Sequence, residues 1–162
     1  MASKSLNQIY YLGNQYPLHV KVNPEIKKIT IKWDGNTFTC ISPEEGEIDI
    51  SKEIQSFYRK ESKRLIEKRL KIYLPHFKVK YRSFKIENSN SKWGSCSSGR
   101  HLTFNWKLAL FPMEAIDYVV VHELCHMIHM NHDRSFWRLV GKIYPNYKEA
   151  MNILGTEKTR DI

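Results

Sequence analysis

A chain of 162 residues with 41% apolar and 27% charged residues is large enough to bury a core without cross-links, so neither a disulfide-stapled miniprotein nor a disordered segment is expected. No run of eighteen apolar residues occurs and the N-terminus carries no apolar signal core, which predicts a cytoplasmic protein with no membrane contact. Three cysteines, Cys40, Cys96 and Cys125, fit a reducing compartment better than a disulfide framework and match no zinc-finger spacing.

The net charge of +9 is concentrated. Residues 51–82 hold eleven Lys and Arg against three Glu, a local excess of +8. Such a block can attract nucleic acid or a phosphate-bearing substrate; it is equally the solvated face of a soluble helix.

In chain order, residues 1–50 read as a β-rich part, mostly antiparallel. His19–Val22 alternates as a half-buried strand should, and Asn23-Pro24 signals a turn. Ile29–Trp33 and Thr37–Ile41 then flank a tight Asp34-Gly35-Asn36 hairpin. The polar loop Ser42–Glu47 is the expected lobe boundary, with a second part over residues 51–162. Ser51, as N-cap, opens a long helix with apolar Ile54, Phe57, Tyr58, Leu65, Ile66, Leu70 and Tyr73, ended by Pro75. Phe77–Tyr81, Phe84–Ile86, Trp93–Ser98 and Leu102–Trp106 are strand-like. Asp133 can cap a helix bearing Phe136, Trp137, Val140 and Ile143, and Tyr147–Leu154 forms a last short helix.

The segment 112–137 carries the chemistry. Pro112 suits a first helical turn, and Ile116, Val119, Val120, Leu124 and Met127 recur at three- and four-residue steps, predicting an amphipathic helix with one buried face. Within it lies His122-Glu123-Leu124-Cys125-His126. Histidines at i and i+4 sit on one face with Cβ atoms roughly 5–6 Å apart, so both imidazoles can converge on one ion. Zinc that keeps an open position for water needs a third protein ligand. His129 would lie roughly 10 Å along the axis from His122, too far to share an ion. Asn131 tolerates the left-handed conformation that ends helices, and a turn there would swing His132 beneath the metal. The expected ligands are therefore His122, His126 and His132. Glu123, beside the pair, is placed to take a proton from metal-activated water, the arrangement of a metallopeptidase.

Lys92-Trp93-Gly94-Ser95-Cys96, Asn105-Trp106, the run Asp117–His126, Asn131-His132 and Phe136-Trp137 resemble, in order and spacing, the YgjP-type metal-dependent hydrolases, bacterial relatives of the SprT, Spartan and WLM metallopeptidases. Tyr11-Leu12-Gly13 and Glu67-Lys68-Arg69-Leu70 also fit that layout. The resemblance implies an α+β, zincin-like minimal core, with a small antiparallel or mixed sheet over an active-site helix and an N-terminal β-rich addition. It implies the same ligands and the same base. Asp133 stands where relatives often have Ser, and the first strands lack the dense arginines of many members.

The strand from Trp93 is a candidate edge for an extended peptide to join, making Trp93, Ser95 and Asn105 candidate substrate-binding residues; alternatively Trp93 is simply a large core residue. The leading expectation is a zinc hydrolase, with one Zn2+ per chain, that cleaves peptide or protein. Two rivals are a metal-dependent nucleoside triphosphate pyrophosphohydrolase, which requires a closed basic pocket, and a nucleic-acid module with structural zinc, which requires a closed four-ligand site.

Overall fold

A computed structural model describes residues 8–155. The N-terminal sheet comprises β1 (Gln8–Tyr11), β2 (Asn14–Val22), β3 (Thr30–Trp33) and β4 (Phe38–Ser42), in the spatial order β1-β2-β4-β3. Leu12 and Gly13 turn β1 into β2 with φ of 49° and 83°. Their N–H groups donate to the carbonyls of Ala109 (2.8 Å) and Leu110 (2.9 Å), so the hairpin tip is tied to the chain just before the metal-site helix. A Cβ on Gly13 would lie 2.7 Å from Pro112 Cγ, a second reason for glycine there. The expected β3–β4 hairpin forms, its turn held by Asp34 Oδ1, which accepts from the N–H groups of Asn36 and Thr37, both at 2.8 Å. The mostly antiparallel arrangement expected of this region is corrected at one pair: β2 and β4 run parallel. The connection after Asn23-Pro24 carries the chain past one strand position, and β4 returns from the hairpin into the gap between β2 and β3.

Helix α1 (Ser51–Tyr73) begins at Ser51 itself, so its cap lies one residue before the expected one. Ile50 occupies the cap position, and Ser51 instead donates its N–H (3.0 Å) and hydroxyl (2.5 Å) to Asp49. Tyr58, Ser62, Leu65, Ile66 and Leu70 form the buried stripe, and a 3₁₀ turn over Leu74–His76, with Pro75 inside it, closes the helix. Phe77–Tyr81 is not a strand: Phe77 and Tyr81 pack on the core, but among the described residues no neighbouring strand takes up their backbone groups. The second sheet has β5 (Ser83–Glu87), β6 (Gly94–Cys96) and β7 (His101–Asn105) in the order β5-β7-β6. β5 and β7 are parallel, β6 and β7 antiparallel, and β6 is an edge.

After a 3₁₀ segment, Trp106–Leu110, come α2 (Met113–Cys125), α3 (Arg134–Ile143) and α4 (Tyr147–Gly155). Pro112 lies just before α2, as its cap residue. Every residue of α2 from Ala115 to Cys125 is buried, in place of the single buried face expected, because α1, β6, α3 and α4 surround it. Its one buried aspartate, Asp117, is met by a two-pronged pair from Arg69 on α1, Nε to Oδ1 at 2.5 Å and Nη2 to Oδ2 at 2.8 Å. Ile9, Tyr11 and Phe38 of the first sheet belong to the same apolar cluster as α1 and α2. All three cysteines are free, and among the described residues no helix is long and apolar enough to cross a membrane.

Candidate metal centre

The carboxyl end of α2 builds the site. The helix stops at Cys125, and the chain tightens through Met127 N–H to Leu124 carbonyl (3.0 Å), Ile128 to Cys125 (3.0 Å) and His129 to Cys125 (2.9 Å). The reversal therefore begins at the end of α2. Asn131 is not left-handed: among the described residues only Leu12 and Arg100 are so outside glycine. Asp133 then caps α3, accepting from Phe136 N–H at 3.0 Å, and this fixes the chain directly after His132.

His122, His126 and His132 converge as a group able to hold a metal ion. Their Nε2 atoms lie 3.2 Å (122–126), 3.1 Å (122–132) and 3.0 Å (126–132) apart. Three nitrogens bound tetrahedrally at about 2.05 Å from one ion would be about 3.3 Å apart, so the cradle is within a few tenths of an ångström of that geometry. Two of the opposite ring nitrogens are engaged. His126 Nδ1 donates to the His129 carbonyl at 2.9 Å, which leaves a lone pair at Nε2; His122 Nδ1 lies 3.0 Å from the Tyr118 hydroxyl. Hydrogen bonds among three converging nitrogens cannot satisfy them all, whereas a cation between them does. Three imidazoles and no carboxylate form a donor set suited to zinc and to other borderline transition metals. His129 enters only through its backbone.

Glu123 is 1% exposed, with Oε1 3.8 Å from His122 Nε2, and it stands outside the three-histidine group. Its Oε2 is buried without a hydrogen-bond partner among the described residues. Burial pushes its carboxyl up to about 8, with the Lys92 charge acting in the opposite direction. Gly94 makes this packing possible: a Cβ there would lie 3.0 Å from both Glu123 Cγ and the Thr103 carbonyl oxygen. Burial also raises the Cys96 and Cys125 thiols, to about 11 and about 12, so neither resembles a thiolate ligand.

The site opens into a cavity of about 640 Å³. Lys92, Gly94, Ser95 and Cys96 line it from the β6 side, Met130 from the reversal after α2, and Trp137, Met151 and Leu154 from α3 and α4. Of the three candidate substrate residues, Ser95 lines the cavity, and Trp93 and Asn105 do not. Trp93 is 1% exposed and packs edge-on to Phe111, with ring centroids 4.8 Å apart. Asn105 is committed to the backbone, its Nδ2 donating to the carbonyls of Ser89 (2.8 Å) and Lys92 (2.9 Å) and its Oδ1 accepting from Lys107 N–H (3.1 Å). Sequence reasoning passed over Tyr118, whose i−4 offset from His122 was a usable signal, and the methionine wall, which had none.

A buried helix beside a small mixed sheet, with three imidazoles converging at its end, defines a metallopeptidase-type core. The chain belongs to the YgjP-like family, metallopeptidase domain, whose profile matches residues 1–157. Its fold is similar to that in the crystal structure of the metallopeptidase zymogen of Pyrococcus abyssi abylysin, with a TM-score of 0.50 and 23% identity over 62% of this chain and 98% of that one. A comparison with curated proteins returned no match.

Proposed function

We propose that the protein is a zinc-dependent peptidase in which His122, His126 and His132 hold one ion and Glu123 moves the proton. The observation that carries this reading is a triangle of Nε2 atoms 3.0–3.2 Å apart beside a buried carboxylate oxygen that has no hydrogen-bond partner among the described residues. When bound, zinc supplies Lewis acidity that polarises a substrate carbonyl and makes water acidic near neutral pH. Glu123 Oε2 accepts a proton and passes it to the departing amide nitrogen. Tyr118 and the His129 carbonyl hold the rings of His122 and His126 in register for the ion.

The edge strand supplies the docking line. Trp93 carbonyl accepts from Asn105 N–H and Ser97 N–H donates to His101 carbonyl, so the alternation of an antiparallel ladder leaves the backbone groups of Gly94 and Cys96 facing outward. An extended peptide joining there lies across Glu123. The cleft lining favours peptide over nucleotide: Lys92 is the only Lys or Arg that lines it among the described residues, against the basic pocket that a triphosphate requires. We infer further that residues 51–162 form the hydrolase core and residues 1–50 the β-rich addition that braces the start of α2. Three free cysteines support residence in a reducing compartment.

The test is Glu123→Gln, assayed with an unfolded protein and with nucleoside triphosphates. One equivalent of zinc by elemental analysis with no proteolysis is expected, and full proteolysis by the variant refutes the assignment.

A further inference from the structure

Large apolar side chains are seldom left exposed around a cavity without a use for them. Met130 is 50% exposed and Met151 38%, and both line the cleft, with Ile128 (46%) close by in sequence. Behind them stands a stack of rings. The Trp137 indole stacks on His132 (centroids 6.0 Å, 27°) and on Tyr147 (5.7 Å, 23°). Tyr147 reaches that position because residue 141 is glycine; a Cβ there would lie 3.2 Å from Tyr147 Cε1. Leu154, 1% exposed, completes the wall. Among the described residues, the charged side chains that line the cleft, Lys92 and Glu123, come from the segment before β6 and from α2, and none comes from α3 or α4.

A fixed aromatic plane next to a metal-site histidine, faced with flexible thioethers, suits large apolar groups of varied shape. A charged side chain placed there would lose its water and gain no partner. The occupant is set by continuity with the β6 edge, since a peptide extended along that strand turns alternate side chains toward the cleft. Resting on the peptidase reading above, we propose that Trp137, Met130, Met151 and Leu154 form an apolar subsite that selects a large aliphatic or aromatic side chain of the substrate, adjacent to the bond presented to Glu123. The substrate class is then extended peptide bearing exposed Leu, Met, Phe or similar residues, as unfolded segments do.

The test uses zinc-loaded Glu123→Gln protein and fluorescein-labelled octapeptides that differ only at one central position, Gly, Asp, Lys, Leu or Phe, with binding read by anisotropy. Leu and Phe peptides are expected to bind at least about tenfold tighter than Gly or Asp peptides, the scale of burying one such side chain. Adding Met130→Gln and Met151→Gln, which keep length and replace thioether by amide, should shrink that ratio at least about threefold with zinc content and melting curve unchanged. Equal binding across the series, or a ratio that the double substitution leaves unmoved, overturns the subsite. Wild-type protein incubated with the same peptides separates the two claims. Discrimination in binding without cleavage overturns the peptidase reading and keeps the subsite; cleavage indifferent to the central residue overturns the subsite and keeps the peptidase.

Discussion

Glu123→Gln is expected to stabilise the metal-free protein at neutral pH while removing its activity. The wild-type carboxyl is 1% exposed, and burial raises it from 4.5 to about 8. A folded-state value above the unfolded one means that the associated stability is fully present below about pH 4.5 and is lost as the pH rises toward 8. Each pH unit inside that window costs about 1.4 kcal/mol, so wild type loses roughly 3 kcal/mol from this one group between pH 5 and pH 7.5. Glutamine has no such titration. Urea unfolding of both proteins in chelator, at several pH values across the window, measures the difference between their unfolding free energies. That difference should move in favour of the variant as the pH rises and narrow again when zinc is added, because a nearby cation favours the carboxylate. Two parallel pH profiles in chelator would refute the reasoning, since they would mean that burial places no load on this group.

Stripping the metal should lower the melting temperature reversibly, because an ion held at about a thousandfold its Kd adds about 4 kcal/mol; chelation followed by zinc readdition in a thermal melt reads it. Gly94→Ala should cut turnover more than about tenfold with zinc content unchanged, since the new Cβ at 3.0 Å from Glu123 Cγ displaces the proposed proton carrier and not the three histidines. Arg69→Met should cost about 2 kcal/mol in denaturant unfolding by leaving Asp117 without its guanidinium, and Asp117→Asn introduced on top should recover part of that loss.

The convergence of His122 and His126 was legible because a helix imposes a rigid four-residue geometry on its side chains, and the capping aspartate was legible because Asp133 and Phe136 lie within one turn. His132 was reached by the wrong route. The sequence suggested a left-handed residue at Asn131, whereas the helix ends at Cys125, and His126 Nδ1 secures the reversal by bonding the His129 carbonyl. Such a contact depends on the folded loop and leaves no local pattern. The alternation of Phe77–Tyr81 looked like a strand and found no partner, because pairing is decided by which other strands lie nearby. The same non-local choice makes β2 and β4 parallel. All-round burial of α2 could have been read from the unbroken run Val119-Val120-Val121, which no single-faced helix requires.

Apolar packing orders the three imidazoles alongside the hydrogen bonds of Tyr118 and the His129 carbonyl. The Phe136 ring is buried, with centroids 4.9 Å from His122, 4.5 Å and nearly parallel to His126, and 5.0 Å from His132. One side chain on α3 therefore packs against candidate ligands from both sides of the chain reversal, and the Asp133 cap fixes its backbone. The core that folds α2 and α3 together also draws the histidines to metal-binding spacing, so little side-chain freedom remains to be lost when an ion enters. Placement of the three imidazoles then depends on the packing of a residue outside their group, which would couple affinity for an ion to the stability of the α2–α3 contact.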